Sequence, residues 1–251
     1  MSTDAHNDPG QPLVAHLTEL RDRLLRIVLA ILVCAIALMP FSAEIYTFVA
    51  EPLRRYLPEG SSMIATEVAS TFLTPFKLVL MSAFCLAIPV ILHQAWAFIS
   101  PGMYRHEKRI AAPMLVSSVL LFYLGLAFAY YVVFPLVFGF FSGITPEGVA
   151  YTPDIARFLD TALKLFFAFG IAFEIPIATI LLISAGVIDR KTLGEKRPYI
   201  IVGCFIFGML LTPPDVISQL LLAVPMWLLF EVGVFFGRFV EARPSQESDG
   251  A

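Results

Sequence analysis

Three carboxylates in this sequence stand where an acid is either costly or conspicuous. In "FAFGIAFEIPIATILL", residues 167–182, Glu174 is the only charged residue. A charge at the centre of a bilayer costs about 2.5–3.5 kcal/mol on insertion scales, so an acid there needs a partner or a task. Lys164 is the nearest cation on the same stretch, but it lies about 15 Å away along a helix axis and cannot neutralise it. Pro176 frees the carbonyl of Ala172 and bends the helix, which adds a second polar group at that depth. Three chemistries are open to Glu174. It can be a protonated acid hydrogen-bonded to a neighbouring helix. It can be a proton or ion relay, with His93 as its one evident companion. It can be a polar docking point that faces a cavity or another protein's helix.

The other two acids sit among arginines. In "PLVAHLTELRDRLLR", Glu19 with Arg23 and Asp22 with Arg26 are i,i+4 pairs, each worth a few tenths of a kcal/mol. In "AFISPGMYRHEKR", Glu107 has Arg105, Lys108 and Arg109 as neighbours. Either carboxylate can offer an incoming guanidinium a planar, bidentate acceptor, and either can be satisfied by its own local cations. Catalytic signatures are absent. There is no G-x-x-x-x-G-K-[ST], no G-x-S-x-G, no H-E-x-x-H and no Cys/His pairing, so no enzyme, metal site or cofactor is expected. Cys34, Cys85 and Cys204 all lie in apolar runs and read as small buried residues.

The elements that must position these groups follow from composition. The chain has 251 residues, 58% hydrophobic and only 15% charged, with a mean hydropathy of +0.81. That leaves too little charge to cover a soluble domain. The apolar runs are continuous rather than alternating, which points to helices and away from a β-barrel. Runs near the ~20 residues needed to cross a bilayer predict six spans, at about 24–42, 74–99, 110–138, 159–187, 198–212 and 216–236. The fold class expected is all-α, a single polytopic membrane domain over 1–251. Its last two spans have short apolar parts, Pro198–Leu211 and Val216–Phe230, joined by "TPPD". Short spans imply a thinned bilayer or a water-filled recess.

Lysines and arginines orient the chain. Flanks on one side carry Arg21, Arg23 and Arg26, then Arg105, Lys108 and Arg109, then Arg190, Lys191, Lys196 and Arg197, then Arg238 and Arg243. The opposite flanks carry only Arg54, Arg55 and Arg157. By the positive-inside rule both termini are cytoplasmic, including a tail over 237–251. Leu13, Leu17, Leu20 and Leu24 share one helical face behind Pro12, so 12–23 reads as an amphipathic helix at the cytoplasmic interface. On the far side, "AEIYTFVAEPLRRYL" places Ile45, Phe48, Val49 and Leu53 at helical spacing. A loop of that length is expected to be structured, here as a cap over the helix ends.

Five stretches together resemble the TatC family, the multi-spanning receptor subunits of the twin-arginine protein translocase. They are "HLTELRDRL", "SPGMYRHEKR", "AFGIAFEIP", "KRPY" and "GMLLTPPDVISQ", in family order and across nearly the whole chain. The resemblance implies a glove-shaped, concave six-helix bundle in the bacterial cytoplasmic (inner) membrane. It implies recognition of twin-arginine signal peptides at the cytoplasmic face and export of folded proteins driven by the proton-motive force. Glu19 and Glu107 are similar to the family's carboxylates that hold the arginine pair, with Phe98 beside them. Two carboxylates on separate elements suit arginine's planar fork, which lysine cannot match. The signal peptide's apolar segment is expected along the concave surface, where the resemblance puts Glu174.

The resemblance further implies single-helix partners of the TatA and TatB type near the last two spans, with Met209, Thr212 and Gln219 in that region. It implies self-association within the complex and contact with lipid, and no nucleic acid. Pro52 and Phe72 are expected to support the cap or signal insertion, with core packing an equal reading. The rival expectation is a proton-coupled secondary transporter that uses Glu174 as its coupling acid.

Overall fold

A computed structural model describes residues 10–55, 63–67, 69–99, 108–144, 152–184, 186–211 and 216–238. Glu107 and Thr212 lie outside these residues, and the tail is described only as far as Arg238. The described residues are almost wholly helical and contain no strand beyond one isolated bridge.

The interfacial helix and the first span are one element, α1 (Gly10–Leu38). Nothing between the leucine-rich face and the apolar run breaks helical periodicity, so the helix carries its charged turns directly into the bilayer. A 3₁₀ turn at Met39–Phe41, with Pro40 at its start, redirects the chain into the cap helix α2 (Ser42–Arg54). The second span is α3 (Ser70–Ile99). The third begins as α4 (Lys108–Phe128), passes through a π turn at Ala129–Val133 and continues as α5 (Phe134–Gly143).

The fourth span is interrupted. Helix α6 (Ile155–Ala172) ends two residues before α7 (Ile175–Ser184) begins. At the break the Glu174 amide donates to Ile171 O at 2.9 Å, a tightened i→i−3 bond, and Pro176 has no amide to continue the ladder. The short α8 (Arg190–Glu195) leads to α9 (Arg197–Leu211) and α10 (Val216–Gly237).

Five of these spans are long and apolar enough to cross a membrane, and α9 is the shorter sixth. At 15 residues, α9 covers about 22 Å against a hydrocarbon core of ~30 Å. Helix α10 continues past its apolar part to 22 residues. The polar residue that would end that run, Glu231, is paired with Arg197 on α9 at 2.7 Å. The chain is therefore an integral, all-α membrane protein with six spans.

Helix α1 packs on α3, α4 on α6, and α7 and α9 on α10. The fully buried centre is built from Leu78, Phe134, Leu159, Leu165, Phe169, Leu222 and Met226. Two crossings depend on a missing side chain. A Cβ on Gly125 would stand 2.5 Å from Phe169 O, so α4 and α6 touch backbone to backbone. A Cβ on Gly233 would stand 2.8 Å from Pro176 Cα, which sets α10 equally close to α7. Small residues at such points let helices gain dispersion contacts where lipid gives no hydrophobic drive to associate.

Asp160 has Lys164 one turn along its own helix, yet it bonds Lys77 on α3 at 2.9 Å. A partner on another helix ties two spans together, which an i,i+4 pair cannot do.

At the end of the bundle that carries the cap, Asp154 clamps two connecting segments. Its Oδ1 caps α6 by accepting from the amides of Ala156 and Arg157, both at 3.0 Å. Its Oδ2 accepts from the Thr66 amide at 3.0 Å and the Thr66 hydroxyl at 2.7 Å. Backbone bonds from Ile64 to Pro153 and from Ile155 to Ile64 close the bridge. The Arg157 amide first, and then Thr66, hold this carboxyl down at about 2, below its ordinary 3.8. A depressed value means the clamp contributes fully above the ordinary value and is lost only as pH falls through about 2. Asp154→Ala is expected to speed amide exchange at 64–66 and 156–157 by about tenfold in hydrogen–deuterium exchange. Wild-type protein at pH 4 should keep that protection, and its loss there would contradict the clamp.

Candidate functional site

At the end opposite the cap, α1 and the C-terminal turn of α3 form a corner rich in polar contacts. Arg23 is its centre. Its Nε donates to Glu19 Oε1 at 3.0 Å and its Nη2 reaches the same oxygen. Nη2 also donates to the carbonyl of Ala97 at 3.1 Å, and Nη1 to Gln94 Oε1 at 3.5 Å. The last carbonyls of α3 have no helical partner of their own, so a guanidinium there satisfies one orphan and complements the helix dipole. Gln94 is only 8% exposed. The Arg23 side chain is 18% exposed and that of Glu19 39%, so the carboxylate stands at the rim with the guanidinium behind it. One turn away the rings of His16 and Phe98 stack with centroids 4.5 Å apart.

The corner thus brings together Glu19 and Phe98 of the residues singled out from the sequence. It also engages Glu19 in the i,i+4 pair that its spacing allowed. Gln94 was not singled out. A glutamine next to His93 near the end of a long apolar run is a signal that could have marked it.

Glu174 lies in the break between α6 and α7. Its carboxyl is hydrogen-bonded to the hydroxyl of Ser118 on α4, which is 1% exposed. The other oxygen, Oε1, is buried with no partner among the described residues. A lone carboxyl oxygen in low dielectric is costly to leave unpaired. His93, the possible relay companion, lines a separate recess with Pro89, Val116 and Leu120. Ser118, one of two adjacent serines in the third span, is the partner that sequence spacing could not choose.

Towards the cap, an open and almost entirely apolar groove of about 650 Å³ runs between α2, α3, α4 and α6. Leu38, Phe48, Met81, Leu86, Tyr131 and Phe166 contribute to it. Two of its tyrosines donate to backbone carbonyls: Tyr123 Oη to Cys85 O at 3.0 Å and Tyr130 Oη to Phe48 O at 2.8 Å. Of the two cap residues, Pro52 is buried inside α2, consistent with packing. Phe72 is 76% exposed, so packing within this chain does not account for it.

On the last two spans, Gln219 Nε2 donates to Phe205 O at 2.9 Å and joins α10 to α9. Met209 is half-exposed on the outer face of α9. Trp227 Nε1 and Glu231 Oε1, one turn apart on α10, are buried without partners among the described residues. No cluster of three or more His, Cys, Asp or Glu that could hold a metal is found among the described residues.

Comparison with known proteins gives one consistent result. The family model described as "Sec-independent protein translocase protein (TatC)" matches residues 15–225. A protein of that name from Azotobacter chroococcum mcd 1 is 62% identical over 251 residues, covering 100% of this chain and 98% of the relative. That of Escherichia coli strain K12 is 56% identical, covering 91% of this chain and 89% of the relative. A crystal structure described as the twin arginine translocase receptor TatC superposes with a TM-score of 0.80 at 37% identity, covering 90% of this chain and all of that one. A second, in the detergent DDM, gives 0.81 at 39%, covering 88% of this chain and 99% of that one.

Ser118→Ala is expected to destabilise the protein by about 1 kcal/mol, because it strips a hydrogen bond from a buried carboxyl. Thermal unfolding in detergent should register this as a drop of a few degrees. The same substitution in a Glu174→Gln background should cost less, because the two groups form one interaction. Equal losses in both backgrounds would show that Ser118 does not act through Glu174.

Proposed function

Because this chain belongs to the TatC family of Sec-independent protein translocase proteins, we propose that it is the receptor and core subunit of a twin-arginine translocase. It binds signal peptides bearing paired arginines and assembles with single-helix subunits to export folded proteins. The observation that carries this reading is the α1–α3 corner. Glu19 stands there half-exposed and already accepts a guanidinium, beside an aromatic pair on which a second guanidinium can stack.

Glu107 is the second acid of the pair, on the segment that precedes α4. A carboxylate on each of two elements reads two arginines more strictly than a single diffuse negative patch does, because each planar fork needs its own acceptor. The apolar segment of the signal peptide is assigned to the groove lined by Phe48, Met81 and Phe166, whose surface suits an unbranched hydrophobic helix. Glu174, with one oxygen unpartnered, is the polar contact within the membrane for an arriving helix. Met209, Thr212 and Gln219 form the face for TatA- and TatB-type subunits, and copies of the chain associate within the complex. The protein works by recognition and assembly, without catalysis or a cofactor. It resides in the cytoplasmic membrane with both termini inside, and the proton-motive force supplies the energy.

The direct test is binding of a twin-arginine peptide and its twin-lysine counterpart to the purified protein. The arginine form is expected to bind about tenfold tighter or more, as loss of bidentate geometry commonly costs 1–3 kcal/mol. Glu19→Ala combined with Glu107→Ala should abolish the difference. Equal affinity for both peptides, or wild-type affinity in the double variant, would overturn the reading. So would a small-solute flux that depends on Glu174.

A further inference from the structure

The recognition carboxylate has a resident arginine, and that residue's other contacts give it a role. Arg23 does not merely ride on Glu19 as an exposed i,i+4 partner would. It is bonded to Ala97 O at 3.1 Å and to Gln94 Oε1 at 3.5 Å, both on α3, and its side chain is only 18% exposed. Three acceptors on two helices fix the plane of its guanidinium. Both of its bonds to the carboxylate fall on one oxygen, Oε1.

We propose that Arg23 is a positioning residue for arginine recognition: anchored on α3, it grips Glu19 by Oε1 and turns Oε2 towards the incoming guanidinium. This deepens the receptor reading above and rests on it. A glutamate on a free helix face samples several rotamers, and each gives a different carboxylate plane. Pinning one oxygen to a guanidinium that is itself pinned to α3 removes that freedom before the peptide arrives, which is the usual source of specificity in a preorganised site.

Simple charge counting points the other way, because Arg23 already neutralises Glu19 and would repel a visiting arginine. At a water-facing rim that repulsion is strongly screened, whereas the direction of a hydrogen bond is not. Discrimination between arginine and lysine is therefore the property that Arg23 controls, more than overall attraction. Lysine at position 23 keeps the charge but cannot bond Glu19, Gln94 and Ala97 in one plane.

The test measures affinity for the twin-arginine and twin-lysine peptides in the full-length protein, with unfolding temperature recorded for each variant. Arg23→Gln is expected to lower twin-arginine affinity about tenfold and bring the arginine-to-lysine ratio close to one. Arg23→Lys, which keeps the charge and guards against misfolding, should also lose the ratio. In a Glu19→Gln background neither change should weaken binding further, because Arg23 acts through Glu19. The inference falls if Arg23→Lys keeps the wild-type ratio, or if Arg23→Gln weakens binding equally with and without Glu19. If wild-type protein itself does not separate the two peptides, the receptor reading falls with it. If wild type separates them and both Arg23 variants do too, the receptor reading stands and only this inference is lost.

Discussion

Lipid offers no hydrogen bonds, and the arrangement of this protein follows from that fact. Each polar group within the bilayer must find its partner in the protein. Several polar side chains in the spans accordingly lie at seams between helices. Lys77 meets Asp160 across α3 and α6, Arg197 meets Glu231 across α9 and α10, and Gln219 reaches the carbonyl of Phe205. Tyr123 and Tyr130 turn their hydroxyls to backbone carbonyls on α3 and α2. These contacts fix which helices are neighbours, and packing then fills the space. Phenylalanines knit the centre, with Phe134 against Phe166 at 4.8 Å and Phe138 against Phe158 at 4.9 Å.

Among the described residues three buried polar atoms leave the rule unmet. Glu174 keeps one buried oxygen unsatisfied, and so does Glu231, while Trp227 keeps its indole N–H. Unpaired groups at such depth raise the energy of the isolated chain, and a partner that supplies the missing donor or acceptor recovers it. A membrane protein can gain affinity for a partner this way without exposing charge to lipid.

The order and helical type of the spans were legible in the sequence because a bilayer imposes a length near ~20 apolar residues on each span, whereas the fusion of the interfacial helix with the first span and the break in the fourth were not. Glu19 with Arg23 was legible too, since one helical turn fixes their distance. Asp160 was not, because its partner Lys77 is distant in sequence and only the packing of α3 on α6 brings them together. The extent of α10 was legible as 216–236, but the role of Glu231 inside it was not, because Arg197 opposite it is supplied by α9. Gln94 beside His93 and Ser118 beside Ser117 were visible as polar residues in apolar runs, but their partners Arg23 and Glu174 depend on helix rotation, which hydropathy does not report.

The interruption at Phe173–Glu174 has a mechanical consequence. Above it, α6 is held chiefly by α3 and α4; below it, α7 is held chiefly by α10. A continuous helix would transmit bending as a stiff rod between these two groups. A two-residue turn that lacks the full hydrogen-bond ladder is a weaker link than that rod, and Glu174 therefore marks the level at which the span exchanges one set of packing partners for another.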